Sequence, residues 1–238
     1  MRAYTACPEL AANVAQWVQQ PLTRAWIEAR LDVLCGTCAD GALNEAALKT
    51  ALRCLRTEVF CTVMERDLSG AASVAEVTGA MTDLAEVTIQ RALAVLSADL
   101  EALFGELRGP NGERLTLGVV GMGKLGGGVN ASSDIDLIFI YEDDGETSGG
   151  TRSPLTTQEF FTLLGQRLIG ALWRKSRRTA TCFASICVCA RTAIPGRSCA
   201  ALACSKNIFY AQGREWERYG GSRGVWCRRR RASRRSVS

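Results

Sequence analysis

Histidine is absent from all 238 residues. That alone excludes imidazole general bases, His-containing nucleophile triads and His-ligated metal sites. Long apolar runs are absent as well: no stretch of eighteen consecutive apolar residues occurs, and no basic leader precedes a hydrophobic core. The chain therefore reads as neither secreted nor membrane-spanning, and a cytoplasmic location is expected. Of the 5 prolines, only Pro8 and Pro21 fall before Gly109. Acidic residues disappear altogether between Glu159 and Glu215.

What is present is unevenly spread. The hydrophobic content of 47% suits a globular protein, and the length allows one large or two small domains. The net charge of +5 conceals an asymmetry. Residues 1–170 hold 13 Lys/Arg against 22 Asp/Glu, a net −9, whereas residues 171–238 hold 16 against 2, a net +14. Five of the 11 cysteines fall in the first part and six in the second. Without a secretory leader they read as reduced thiols rather than a disulfide framework. Cys35-x-x-Cys38 lacks a second pair, so it reads as two thiols and not as a zinc site.

Residues 8–108 are helical in character. From Asn44 to Met64, apolar residues recur at three- and four-residue spacing (Ala47, Leu48, Ala51, Leu52, Leu55, Val59, Val63). A second stripe runs from Val74 to Leu107 through Val77, Met81, Leu84, Val87, Leu96, Leu100, Leu103 and Leu107. Both predict amphipathic helices whose stripes are core. Asp67-Leu68-Ser69-Gly70 predicts the close of the first, and Ser73 with Glu76 a capping box for the second. Gly109-Pro110-Asn111-Gly112 predicts a turn, and Glu142–Thr147 an acidic, solvated loop continued by Gly149–Pro154. Thr157–Leu172 predicts a further helix with Phe160, Phe161, Leu164, Leu168 and Ile169 on one side.

The chemistry concentrates in Leu115–Tyr141, where two strand-like runs, Leu115–Val120 and Asp134–Ile140, flank a Gly-rich loop. Asp134 and Asp136 alternate with Ile135, which puts both carboxylates on one face with Cα atoms about 6–7 Å apart. Paired acids at the start of a buried strand call for a compensating cation or hydrogen-bond network. Glycine frees backbone N–H groups to approach phosphate, and a hard divalent ion such as Mg2+ takes carboxylate and phosphate oxygens together. Two better-known phosphate loops fit poorly. Gly121-Met122-Gly123-Lys124-Leu125-Gly126 has its acids only eight and ten residues on, where a dinucleotide fold needs a helix and about twenty. Gly118-x4-Gly123-Lys124 is followed by Leu125, where a P-loop needs Ser or Thr. The bland alternative is a hairpin with a glycine loop and a solvated D-x-D.

Gly126-Gly127, a short spacer and Asp134-x-Asp136 within a strand resemble the polymerase-β-like nucleotidyltransferases. The fuller string GMGKLGG…NASSDIDLIFIY resembles the glutamine synthetase adenylyltransferase/adenylyl-removing family, above all its N-terminal, adenylyl-removing half. Leu52–Leu68 resembles the stretch that precedes that domain, and Tyr210–Tyr219 (YAQGREWERY) another family segment. One departure is a shortened loop: only Gly128-Val129 separates the Gly pair from Asn130, where the family has an Arg-Glu-Leu-like segment. The resemblance implies an α+β fold, helical over 1–108, with a partial nucleotidyltransferase core and small mixed sheet over 109–172 and an aberrant, irregular basic segment over 173–238. It implies Asp134 and Asp136 as catalytic residues and as ligands of Mg2+ in a two-metal site. Gly126, Gly127, Ser133 and Lys124 would bind nucleotide phosphate. ATP, ADP and phosphate are the implied substrates, glutamine synthetase the protein substrate and a PII-type protein the regulator. Neither membrane nor specific nucleic acid is expected as a partner. The implied reaction is phosphorolytic removal of AMP from an adenylylated tyrosine, or adenylylation from ATP. A generic nucleotidyltransferase with another acceptor, a non-catalytic nucleotide-binding module and a basic-tailed binding module are the alternatives.

The segment after Leu172 shows no clean helix or strand period. Codons permitted for Ala180–Arg197, read one frame over, can spell GYVFRVDMRLRPYGDSGP. Within it RVDMRLRP resembles the family's third-carboxylate strand, and the shifted aspartate spans codons 185 and 186. This predicts that residues from about Trp173 to Asn207, and again after Tyr219, are translated from a shifted frame. It also predicts a weakly active or inactive chain, since no carboxylate is left there to complete a metal site.

Overall fold

The computed structural model describes residues 8–36, 45–122, 135–141, 143–172, 186–189, 200–201 and 225–227; positions 8, 122, 135, 136, 138 and the last three segments are described as backbone alone. The fold is α+β. Helices α1 (Pro8–Trp17), α2 (Arg24–Gly36), α3 (Glu45–Leu68) and α4 (Val74–Phe104) precede the strands, and α5 (Thr157–Leu172) packs behind them. Among the described residues no helix is long and apolar enough to cross a membrane.

The two predicted stripes form the centre. Leu48, Leu52, Leu55 and Val59 of α3 and Met81, Leu84, Leu96 and Leu100 of α4 are buried in one cluster, whereas Ala47 is only half-buried. The helical spacing does what an amphipathic period requires, turning one apolar stripe inward. The turn between them is tight: the Arg66 carbonyl accepts the N–H groups of Ala71 and Ala72 at 2.8 and 3.1 Å. Ser73 caps α4, its hydroxyl accepting the Glu76 N–H at 3.2 Å. The other half of the expected capping box goes elsewhere. The Glu76 carboxylate accepts Arg66 Nε at 2.6 Å and Nη2 at 3.2 Å, and Arg66 also donates to the Val18 carbonyl at 2.6 Å. One buried guanidinium thus ties the end of α1 to α3 and α4.

Three boundaries differ from the sequence expectation. Helix α4 ends at Phe104 and Leu107 lies in β1 (Gly105–Arg108), not in the helical stripe. The reason is Gly105, whose φ of +88° bends the chain while its N–H donates to the Glu101 carbonyl. The strand expected from Leu115 is β2 (Gly118–Met122). The Gly109–Gly112 turn folds back so that Arg114 bridges Arg108 and the Leu115 N–H donates to the Leu107 carbonyl, leaving Leu115 and Leu117 buried outside the strand. The expected acidic loop holds only in part. Asp143 and Asp144 are exposed, but Glu146 and Thr147 belong to β4 (Glu146–Gly149), antiparallel to β1 with Leu107 opposite Thr147. Buried Thr147 exchanges backbone and hydroxyl hydrogen bonds with Leu155, which explains a strand where composition suggests a loop.

The second sheet is mixed, in the order β5-β3-β2-β7, with β3 (Ile135–Tyr141) central. It is antiparallel to β2 and parallel to β5 (Ile186–Cys189) and β6 (Ala200–Ala201); β7 (Val225–Cys227) lies antiparallel beyond β2. These three short strands arise from the segment with no evident period. Val119, Leu137, Phe139 and Tyr141 join the core shared with α4 and α5. Val120 and Ile140 are buried outside that cluster, so β2 and β3 are covered on both faces.

Candidate active site

Of the residues singled out in the sequence, Asp136 lies in β3, opposite Met122 of β2. Asp134, Gly126, Gly127, Ser133 and Lys124 lie outside the described residues. Their segment leaves from Met122 and returns at Ile135, at the end of a ladder whose paired Cα atoms are about 4.5–5.5 Å apart. Antiparallel pairing of two strands consecutive in sequence also decides against a dinucleotide-binding unit. That unit needs parallel strands joined by a helical crossover. Pleat alternation sends Leu137, Phe139 and Tyr141 to the helices, and position 136 therefore falls on the other face of β3.

The helical side of β3 is firmly built. The Tyr141 and Phe161 rings sit 5.3 Å apart, and the Phe160 and Phe161 rings meet edge to face at 5.7 Å. Helix α5 is held at both ends. At its start the Glu159 carboxylate accepts the Thr156 N–H at 3.0 Å and hydroxyl at 2.8 Å, while the Thr156 hydroxyl accepts the Glu159 N–H at 3.3 Å. This is a reciprocal capping box, and the bonds from Thr156 hold the Glu159 carboxyl below the usual range. Towards its end Arg167 donates to Glu45 at 2.8 Å and to Asp99 at 2.5 Å, joining α5 to α3 and α4. Burial alone would raise the Glu45 carboxyl, but hydrogen bonds from Lys49 and Arg167 outweigh it and hold the group below its ordinary value.

Among the described residues, the sheet around β3 is poor in oxygen ligands. None of the described neighbours of β3 carries a carboxylate: β2 reads Gly-Val-Val-Gly-Met, β5 Ile-Cys-Val-Cys and β6 Ala-Ala. Strand β7, Val-Trp-Cys, has none either. In the register Cys187 pairs with Asp136 and Ile186 with Ile135. Among the described residues of this sheet Asp136 is therefore the one carboxylate, and carboxylate oxygen is the donor that a hard divalent cation takes.

The model of the glutamate-ammonia ligase adenylyltransferase family matches residues 7–235. The chain belongs to this family. The bifunctional glutamine synthetase adenylyltransferase/adenylyl-removing enzyme of Burkholderia mallei is 56% identical over 230 residues, covering 94% of this chain and 24% of that protein. The enzyme of the same description from Ralstonia nicotianae is 48% identical over 237 residues, covering 90% and 23%. That of Chromobacterium violaceum is 37% identical over 221 residues, covering 92% and 24%. The chain thus spans about a quarter of the length of these adenylyltransferase relatives.

Two features escape the sequence reading. Strand β5 emerges from a Cys- and Arg-rich segment, and the one local signal is its alternation Ile186-Cys187-Val188-Cys189. The approach of α5 to β3 at Gly165 has no local signal at all.

Proposed function

We propose that this adenylyltransferase-family chain binds a divalent-cation nucleotide complex and belongs to the adenylyl-removing chemistry of glutamine synthetase. Its reaction would be phosphorolysis of AMP from a modified tyrosine with release of ADP, or adenylylation from ATP, within nitrogen assimilation. A PII-type regulator and glutamine synthetase are its proposed partners. The observation that supports this most is the placement of Asp136. It stands beside Met122 where the Gly-rich connection rejoins the sheet, in a chain matched to the family over residues 7–235. Asp134 and Asp136 would hold Mg2+, and Gly126, Gly127, Ser133 and Lys124 the nucleotide phosphates. The bound cation would supply charge neutralisation at the transferring phosphoryl group, which is most of what such transfers need from a protein. The surrounding residues would orient the phosphates.

The absence of a carboxylate from β2, β5, β6 and β7 supports a lowered activity for this polypeptide. The frame-shifted aspartate is the group that would supply it, because its codon straddles residues 185 and 186 and Ile186 pairs with Ile135 of β3. Isothermal titration with Mg-ADP tests the proposal. Binding should require Mg2+ and disappear in Asp136→Ala. Metal-independent binding, or binding untouched by Asp136→Ala, would leave a basic-tailed or merely structural module instead.

A further inference from the structure

The sheet carrying Asp136 is pressed from behind at one point with almost no slack. Helix α5 passes over β3 at Gly165, where a single added methyl would stand 3.2 and 3.3 Å from two edge carbons of the Phe139 ring. Contacts that short force the neighbour to move by a few tenths of an ångström. Phe139 is itself buried, and its strand neighbour Val119 is fully buried beside it. Helix α5 has little freedom to retreat. Its first turn is closed by the Thr156–Glu159 box, the Thr157 N–H and hydroxyl donate to the Gly145 carbonyl, and Arg167 bonds to α3 and α4. Close packing transmits such a displacement instead of absorbing it. The displacement therefore falls on the Phe139 ring and through it on β3, in which position 136 lies three residues from Phe139.

From this we infer that Gly165 is a positioning residue, setting the depth at which β3 presents Asp136 to the nucleotide through its contact with the Phe139 ring. The inference rests on the nucleotide-binding reading above. Glycine is needed here for space, since Gly165 lies inside a regular helix and adopts no left-handed backbone. Gly170 of the same helix has nothing within 4 Å of an added methyl and serves as the internal control.

The experiment is titration of Mg-ADP into the whole chain carrying Gly165→Ala, Gly165→Val, Gly170→Ala, and Gly165→Val with Phe139→Leu. Affinity per folded molecule should fall by about threefold for Ala and on the order of tenfold for Val, within the range of coupling between residues in contact. Gly170→Ala should bind like the parent, and the double variant should recover to within about twofold of it, the signature of a coupled pair. Urea midpoints measured alongside separate packing from positioning. A lower midpoint with unchanged affinity overturns the inference, as does a Gly165→Val chain that Phe139→Leu fails to rescue. If the parent chain shows no Mg2+-dependent binding, the nucleotide reading fails first and this one falls with it.

Discussion

Glu45 shows how one side chain can hold distant elements together. It accepts from Lys49 on its own helix and from Arg167 on α5, 122 positions away in sequence. Because these partners lower its pKa, the stability it contributes is fully present above the ordinary value of 4.5 and is lost as pH falls through the lowered folded-state value. The urea midpoints of the parent and Glu45→Gln should differ by a constant amount at neutral pH and converge below pH 4.5. A gap independent of pH would mean that the tie is steric. Arg66 is different in kind, since its guanidinium is buried and its donors reach Glu76, the Val18 carbonyl and the Ala71 carbonyl. Nothing in the local sequence distinguishes it from the exposed arginines. Its role depends on what α1 and α4 bring to the end of α3.

Among the elements, the long helices were legible because their apolar spacing runs through many turns, so a single mismatch such as Ala47 changes little. Strands β1 and β4 were not. Gly105-Glu106-Leu107-Arg108 extends the helical spacing of α4, and Glu146-Thr147-Ser148-Gly149 has the composition of a loop. Both become strands through pairing with each other. Gly105 is the hinge on which this depends: a methyl there would lie 2.0 Å from the Ser148 carbonyl oxygen, at a φ of +88°. Gly105→Ala should therefore destabilise the fold by about 2 kcal/mol or more, combining backbone strain with overpacking. Equilibrium urea unfolding reads this directly, and a loss under about 0.5 kcal/mol, the level of an ordinary surface substitution, would show that β4 shifts aside freely.

For the molecule as a whole, the question is whether the last quarter of the chain supplies what the sheet needs. Strand β5 lies parallel to β3 and brings Ile186 beside Ile135, without a carboxylate. A chain re-encoded over residues 180–197 from the shifted frame should bind Mg-ADP at least about tenfold more tightly, equivalent to about 1.4 kcal/mol. Unchanged affinity would reject the missing carboxylate as a determinant of nucleotide binding. Sequencing the DNA across codons 170–238 checks the shifted frame independently. Under the proposed shift, the excess of basic residues after Leu172 would reflect the reading frame and not a polyanion partner.

What the sequence determined by itself was local or repetitive: the helical stripes of α3, α4 and α5, the Ser73 cap, and a strand carrying Asp136 next to a Gly-rich connection. Short-range spacing suffices for these, because each is stabilised within a few turns or one strand. Only the tertiary structure decided that β2 and β3 run antiparallel, that β5 adds to β3 in parallel, and that Glu76 serves Arg66 instead of completing its box. It alone decided that α5 meets Phe139 at a glycine. Each of these depends on groups far apart in sequence arriving together, and burial and hydrogen bonding between such groups leave no periodic trace along the chain.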